Sequence, residues 1–257
     1  MIPAPAGAET PTPAFALRGL GVRYGATWAL ADVNLDIEVG QRVALVGPSG
    51  AGKSTLLSVL NGSRRPTAGS VRVLGSDPVS LRPRQLRLLQ RRVGLIHQQF
   101  DLVGPLRVVH NVNAGRLGEW TLAKALWSLV SPREVDRVVG ALDRVGLSGK
   151  LYERVDRLSG GEQQRVALAR VLVQRPEAIL GDEPVASLDP ARGREVMDLL
   201  RDLAVDLATT VVVSLHAFEL AVSHCDRVVG LRRGRVLFDL PAPEVTPSRA
   251  AELYRLD

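Results

Sequence analysis

The sequence predicts an α/β fold in which a mixed, largely parallel sheet is flanked by helices and carries an antiparallel β subdomain and an inserted α-helical subdomain. Three observations predict it. Short apolar runs such as Val43–Val46, Val93–Ile96 and Thr210–Ser214 read as buried strands, and helical patterns separate them. Near the N-terminus, Val33, Leu35, Ile37 and Val39 alternate with Asn34, Asp36 and Glu38, a period of two that buries one face and wets the other, as in an antiparallel sheet. From about Pro105 to Leu158 the helical period takes over, with Gly115, Gly118, Pro132, Gly146 and Gly149 at the joints. A single domain over residues 14–240 would then hold the helical insertion at about 105–165. It would lie between a flexible Pro-, Ala- and Thr-rich tail at 1–13 and a C-terminal helix at 241–257.

Composition narrows the function classes. At 257 residues and 46% hydrophobic, the chain can bury a full core. The net charge of +6 admits nucleic acid or an anionic membrane surface as a partner, but the arginines are spread evenly along the chain. The basic stretch Leu81–Arg92 reads as an amphipathic helix without the interleaved aromatics that stack on bases, so no nucleic acid is expected. The lone Cys225 excludes an internal disulfide and suits a reducing cytoplasm. No apolar run approaches a membrane span and no signal sequence is evident, so a soluble chain is expected.

Taken in order, the chain places Tyr24 beside a turn at Gly25, either as a half-buried strand residue or as an aromatic face for a base. The run Val43–Val46 then feeds Gly47, Pro48, Ser49, Gly50, Ala51, Gly52, Lys53, Ser54 and Thr55, which fits G-x-x-x-x-G-K-[ST], and the helical Leu56–Leu60 follows. Glycines let the backbone approach phosphates, and successive N–H groups at a helix N-terminus face the anion. Lys53 is one of three lysines against thirty arginines and is placed to reach the outer phosphates. A point charge at 4 Å is worth about 4 kcal/mol near a protein surface, against about 0.3–2 for a helix dipole. Ser54 would hold Mg²⁺.

Further along, Trp120 and Trp127 are seven apart and are expected to share one helix face, as core or as a partner surface. Ser159, Gly160, Gly161 and Glu162 open a helix, either as a capping box or as a second phosphate site that needs its glycines for close approach. The strand Ala178–Asp182 ends in the carboxylates Asp182 and Glu183, where α/β sheets bind ligands. Asp182 is placed to hold Mg²⁺; Glu183, aimed elsewhere by strand alternation, to orient or deprotonate water. His216 ends another apolar strand and is either structural or within reach of a terminal phosphate. Val228–Leu231 and Val236–Asp239 form strands around a hairpin turn at Arg233-Gly234, and one short helix closes the chain.

Together these pieces resemble the ATP-binding subunit of ATP-binding-cassette transporters, from about Phe15 to Leu240. The most specific element is Leu158-Ser159-Gly160-Gly161-Glu162-Gln163-Gln164-Arg165, similar to the family's signature sequence and about a hundred residues after the phosphate loop. The resemblance implies a P-loop NTPase core that binds ATP and Mg²⁺. It implies Tyr24 as the adenine-stacking aromatic, Gln98 as the glutamine that senses Mg²⁺, attacking water and membrane partner, Glu183 as the base and His216 as the switch histidine. It implies that Asp189 lies in a loop crossing the interface of a head-to-tail homodimer, and that Ser159, Gly160, Gly161 and Glu162 bind nucleotide in trans. The implied partners are a second copy, integral membrane permease subunits and, indirectly, a periplasmic or lipid-anchored binding protein, with the chain peripheral at the cytoplasmic face of the membrane. Glu162 stands where glutamine is usual, and His97 where an aromatic commonly precedes the glutamine. Asn111–Gly118, the Trp-containing helix and Val213-Ser214-Leu215-His216 look like the phosphonate-import branch. The same core also serves polar amino-acid importers and lipoprotein or macrolide exporters, and soluble cassette ATPases acting on ribosomes or DNA fit this chain less well. The end of the chain at Asp257 implies no appended regulatory domain of the sugar-importer kind.

Overall fold

A computed structural model describes residues 12–97, 100–186 and 188–255. Nine strands form two sheets: β1 (Phe15–Tyr24), β2 (Thr27–Ile37), β3 (Arg42–Val46), β4 (Ala68–Val73), β5 (Val93–Ile96), β6 (Ala178–Asp182), β7 (Thr210–Leu215), β8 (Arg227–Arg232) and β9 (Arg235–Pro241) among the described residues. The helices are α1 (Lys53–Leu60), α2 (Pro83–Arg91), α3 (Val108–Asn113), α4 (Leu122–Val130), α5 (Val135–Arg144), α6 (Gly160–Gln174), α7 (Pro190–Asp206), α8 (Phe218–His224) and α9 (Pro247–Tyr254).

The larger sheet runs β5-β6-β7-β3-β8-β9; all neighbours are parallel except the hairpin β8-β9. The smaller sheet, β2-β1-β4, is antiparallel. Side chains of β3 alternate between two cores, as a strand buried on both faces must. Val43 and Leu45 meet Leu56, Leu57 and Leu60 of α1 and the antiparallel sheet, whereas Ala44 and Val46 meet the layer of α6, α7 and α8.

This register sets the site. Val46 pairs with Leu215, and Asp182 with Ser214, so the C-terminal ends of β3, β6 and β7 lie level along one edge. The loops that leave them carry Gly47–Gly52, Glu183 and His216, and they converge there.

Two expectations change. Val33, Leu35 and Ile37 are buried, but β2 stops at Ile37 and Val39 is 63% exposed, because the chain turns at Gly40 with φ of 79°. Trp120 and Trp127 do not share a helix. The Thr121 hydroxyl accepts from the Lys124 N–H and starts α4 after Trp120, so Trp120 is buried while Trp127 is 58% exposed. Residues 1–11 of the expected tail lie outside the described residues. The hairpin at Arg233-Gly234 is present, with φ of 49° and 76° at its two turn residues, as a two-residue turn between twisted strands requires.

Candidate functional site

The phosphate loop is held open by its own glycines. Gly47 and Gly52 have φ of 154° and 104°, and a Cβ at either would lie 2.2 Å from the Leu231 carbonyl oxygen or 2.5 Å from that of Ala29. The β8–β9 turn buttresses the loop from below, where the Gly234 N–H donates to the Ala51 carbonyl at 3.0 Å. Lys53 begins α1 and is buried; its Nζ donates to the carbonyls of Gly47 at 2.8 Å and Pro48 at 3.3 Å. Burial lowers the Lys53 pKa from its ordinary value, and the carboxylates of Glu183 and Asp182 oppose that shift. Ser49, Gly50 and Ser54 are exposed at the mouth, and helix geometry leaves the first N–H groups of α1 without intrahelical acceptors.

The carboxylates lie across from this loop. Asp182 Oδ1 accepts from Ser54 Oγ at 3.0 Å and from Ser214 Oγ at 2.9 Å, and the Glu183 N–H donates to the same Ser214 Oγ at 2.8 Å. Glu183 stands one residue past β6 with φ of 50°, a left-handed conformation that costs a non-glycine residue about 1–2 kcal/mol. Its direction therefore comes from this turn rather than from strand alternation. His216 Nε2 lies 2.5 Å from Glu183 Oε1, so an ionised Glu183 requires the proton on Nε2. Gln164, fully buried on α6, donates through Nε2 to the Pro184 carbonyl and secures the same turn.

These oxygens can be tested against Mg²⁺. Ser54 and Asp182 offer hard donors, few in number, which suits an ion that keeps water and phosphate oxygens as most of its ligands. Tyr24 ends β1 and is 47% exposed, with the Arg64 guanidinium 4.0 Å over its ring. Gln98 lies outside the described residues.

The second glycine pair is built differently. Ser159 caps α6 in a capping box: its Oγ accepts from the Glu162 N–H at 3.3 Å, and Glu162 Oε2 accepts from the Ser159 N–H at 2.8 Å. The Ser159 backbone N–H, followed by its hydroxyl and Lys150, holds the Glu162 carboxyl below the usual carboxylate range. A Cβ on Gly160 would meet nothing within 4 Å, and one on Gly161 only Arg192 at 3.7 Å. Asp189 caps α7, accepting at 3.1 and 3.0 Å from the N–H groups of Ala191 and Arg192. The Arg192 N–H, with that residue's guanidinium, keeps Asp189 below the usual carboxylate range.

Residues 30–186 match the family described as ABC transporter. The chain belongs to that family. The cassette is 51% identical over 98% of its length to the phosphonates import ATP-binding protein PhnC of Anaeromyxobacter dehalogenans (strain 2CP-C), and it spans 50% of that longer protein. It is 49% identical over 88% of its length, and 85% of the relative's, to the phosphonates import ATP-binding protein PhnC 2 of Pseudomonas aeruginosa (strain UCBPP-PA14). Among solved structures it is similar to the dimeric post-hydrolysis ATP-binding cassette MJ0796 bound to ADP and Pi. That match has a TM-score of 0.76 at 30% identity and covers 89% of this chain and 98% of that one. The cbiO1 cassette of Clostridium perfringens, part of the transporter complex cbiONQ, matches with a TM-score of 0.80 at 27% identity, covering 94% of each chain.

In this cassette the structure brings the phosphate loop, Asp182, Glu183 and His216 to one edge, as the sequence suggests. Two residues not expected there join the site: Ser214, whose signal in the sequence is a hydroxyl within the apolar run Val211–Leu215, and Arg170, whose guanidinium donates at 2.8 Å to the carbonyls of Phe100 and Asp101 and ties α6 to the loop after β5. Cys225 is packing: burial pushes its thiol up to about 12. Among the described residues no helix is long and apolar enough to cross a membrane.

Proposed function

We propose that this cassette hydrolyses ATP to power import of phosphonates or related phosphorus oxyanions, seated at the cytoplasmic face of the membrane against integral permease subunits. A periplasmic or lipid-anchored binding protein would deliver the cargo. The observation that carries the substrate is the identity of 51% and 49% to proteins named for phosphonate import.

In this reading, phosphates enter between the N-terminus of α1 and the two carboxylates, and Lys53 exchanges the carbonyls of Gly47 and Pro48 for phosphate oxygens. Ser54 and Asp182, together with Gln98 of the resembled motif, would hold Mg²⁺, which when bound would neutralise phosphate charge. Glu183 takes the proton of the attacking water, and His216 fixes the carboxylate through Oε1. Tyr24 stacks on adenine once Arg64 leaves its ring. Two copies pair head to tail, so that Ser159, Gly160, Gly161 and Glu162 of one close over the nucleotide of the other, with Asp189 at the crossing loop. Glycines that the chain's own packing does not require support this trans arrangement.

Growth tests the substrate. Cells lacking this chain should fail on a phosphonate as sole phosphorus source and grow normally on inorganic phosphate. Unchanged growth on phosphonate, or a defect confined to an amino acid, would overturn the assignment.

A further inference from the structure

We infer that Ser214 is a positioning residue for both carboxylates, its one hydroxyl fixing the metal-side Asp182 and the backbone of Glu183 together. The inference rests on the roles proposed above for those two residues.

Ser214 is fully buried and interrupts the apolar run of β7. A hydroxyl there is tolerated only with partners. Its hydrogen-bond roles are forced. The Glu183 N–H can only donate, so Ser214 Oγ accepts it at 2.8 Å; ionised Asp182 can only accept, so the single hydroxyl proton points to Oδ1 at 2.9 Å. The one hydroxyl proton is thereby committed to Asp182, and the rotor is fixed.

The two donors on Asp182 Oδ1 differ in surroundings. Ser54 is exposed at the mouth of the phosphate loop, where an arriving ligand rearranges it. Ser214 lies behind the carboxylate in the sheet, held in parallel register opposite Asp182, and keeps its bond whatever enters. On the other side, the aim of Glu183 depends on a left-handed peptide, and Ser214 grips the N–H of that peptide while His216 grips its carboxylate. Ser214 near the end of β7 and His216 just past it both reach the residues that end β6, Ser214 through Asp182 and the Glu183 N–H, His216 through the Glu183 carboxylate. The end of β7 thus sets where Asp182 and Glu183 stand relative to one another.

The test is ADP binding by the full chain titrated with Mg²⁺, alongside steady-state ATP hydrolysis. Ser214→Ala should raise the Mg²⁺ concentration for half-maximal effect about tenfold or more, the usual scale for losing a group that orients a metal ligand. Mg²⁺-free ADP binding should be unchanged, and kcat should fall with little change in KM. Ser214→Thr, which keeps the hydroxyl, should restore the Mg²⁺ midpoint and kcat. A folded Ser214→Ala with the wild-type Mg²⁺ midpoint and kcat would overturn the inference, as would equal losses of Mg²⁺-free and Mg²⁺-dependent binding, which make Ser214 a packing residue. If the alanine variant does not fold, Ser214→Cys, a poor donor of similar shape, is read the same way: a tenfold shift supports the inference and a wild-type midpoint overturns it. Glu183→Gln separates this from the parent reading. Full turnover in that variant removes Glu183 as the base, while the Mg²⁺ midpoint of Ser214→Ala still reports on Asp182.

Discussion

The two glycine-rich elements of this cassette look alike in sequence and differ in what requires them. At the phosphate loop, Gly47 and Gly52 are demanded by the chain itself: both have positive φ, and a methyl group at either would collide with a backbone carbonyl. At the N-terminus of α6, Gly160 and Gly161 have no positive φ, and a methyl group would meet no close neighbour. Glycine loses more backbone freedom on ordering than alanine, by about 0.5–1 kcal/mol in a helix interior, so two at the start of α6 add nothing to its stability. The first pair shapes a loop, whereas the second leaves a bare surface whose use lies outside the chain.

The largest effect should come from separating the two elements onto different copies. Lys53→Ala and Ser159→Arg should each lower ATP turnover by about a hundredfold or more, since each removes a group from the charged phosphates. Mixed together, they should regain activity, because a mixed dimer pairs one intact phosphate loop with one intact α6 N-terminus. A mixed dimer that forms and stays inactive would break the trans reading and return both elements to one chain.

Stability should divide the glycines next. Gly47→Ala, at 2.2 Å from the Leu231 oxygen, should cost about 1–3 kcal/mol and lower Tm by several degrees. Gly160→Ala should leave Tm unchanged or slightly raised while still depressing turnover. Thermal unfolding and ATP hydrolysis on the same two variants decide it: full turnover in Gly160→Ala would mean that no ligand approaches the bare surface.

What the sequence made legible follows the same division. The phosphate loop and the Asp182-Glu183 pair are readable because each keeps its chemistry within a few consecutive residues, and the buried strands of the sheet are readable from short apolar runs. Trp120 and Trp127 misled because a seven-residue spacing says nothing of the helix start that the Thr121 cap places between them. Val39 continued a period of two past the point where Gly40 turns the chain. The aim of Glu183 was hidden because one left-handed residue overrides alternation, and Ser214 was hidden because its role exists only through register with a strand 32 residues earlier.

The smallest effect should appear with pH, and it has opposite signs at the two elements. Glu162 and Asp189, which cap α6 and α7, are held below the usual carboxylate range by backbone N–H groups first. A carboxyl whose folded pKa is depressed contributes stability above its unfolded value of about 4, and the contribution is lost as pH falls through the folded pKa. Lys53 runs the other way. Burial lowers its pKa, so the charged form is disfavoured in the folded chain, and stability rises as pH climbs from the folded value towards the unfolded one of about 10.4. Deprotonation there also removes the cation that meets phosphate, so alkaline pH should firm the fold while weakening ATP binding. Acid should instead loosen the first turns of α6 and α7. Comparing Tm against pH for the wild type and Glu162→Gln measures the acid limb: the glutamine keeps an acceptor for the Ser159 N–H but cannot titrate, so its curve should be flatter below about pH 4. Identical acid limbs would show that the Glu162 carboxylate adds nothing to the cap beyond its shape.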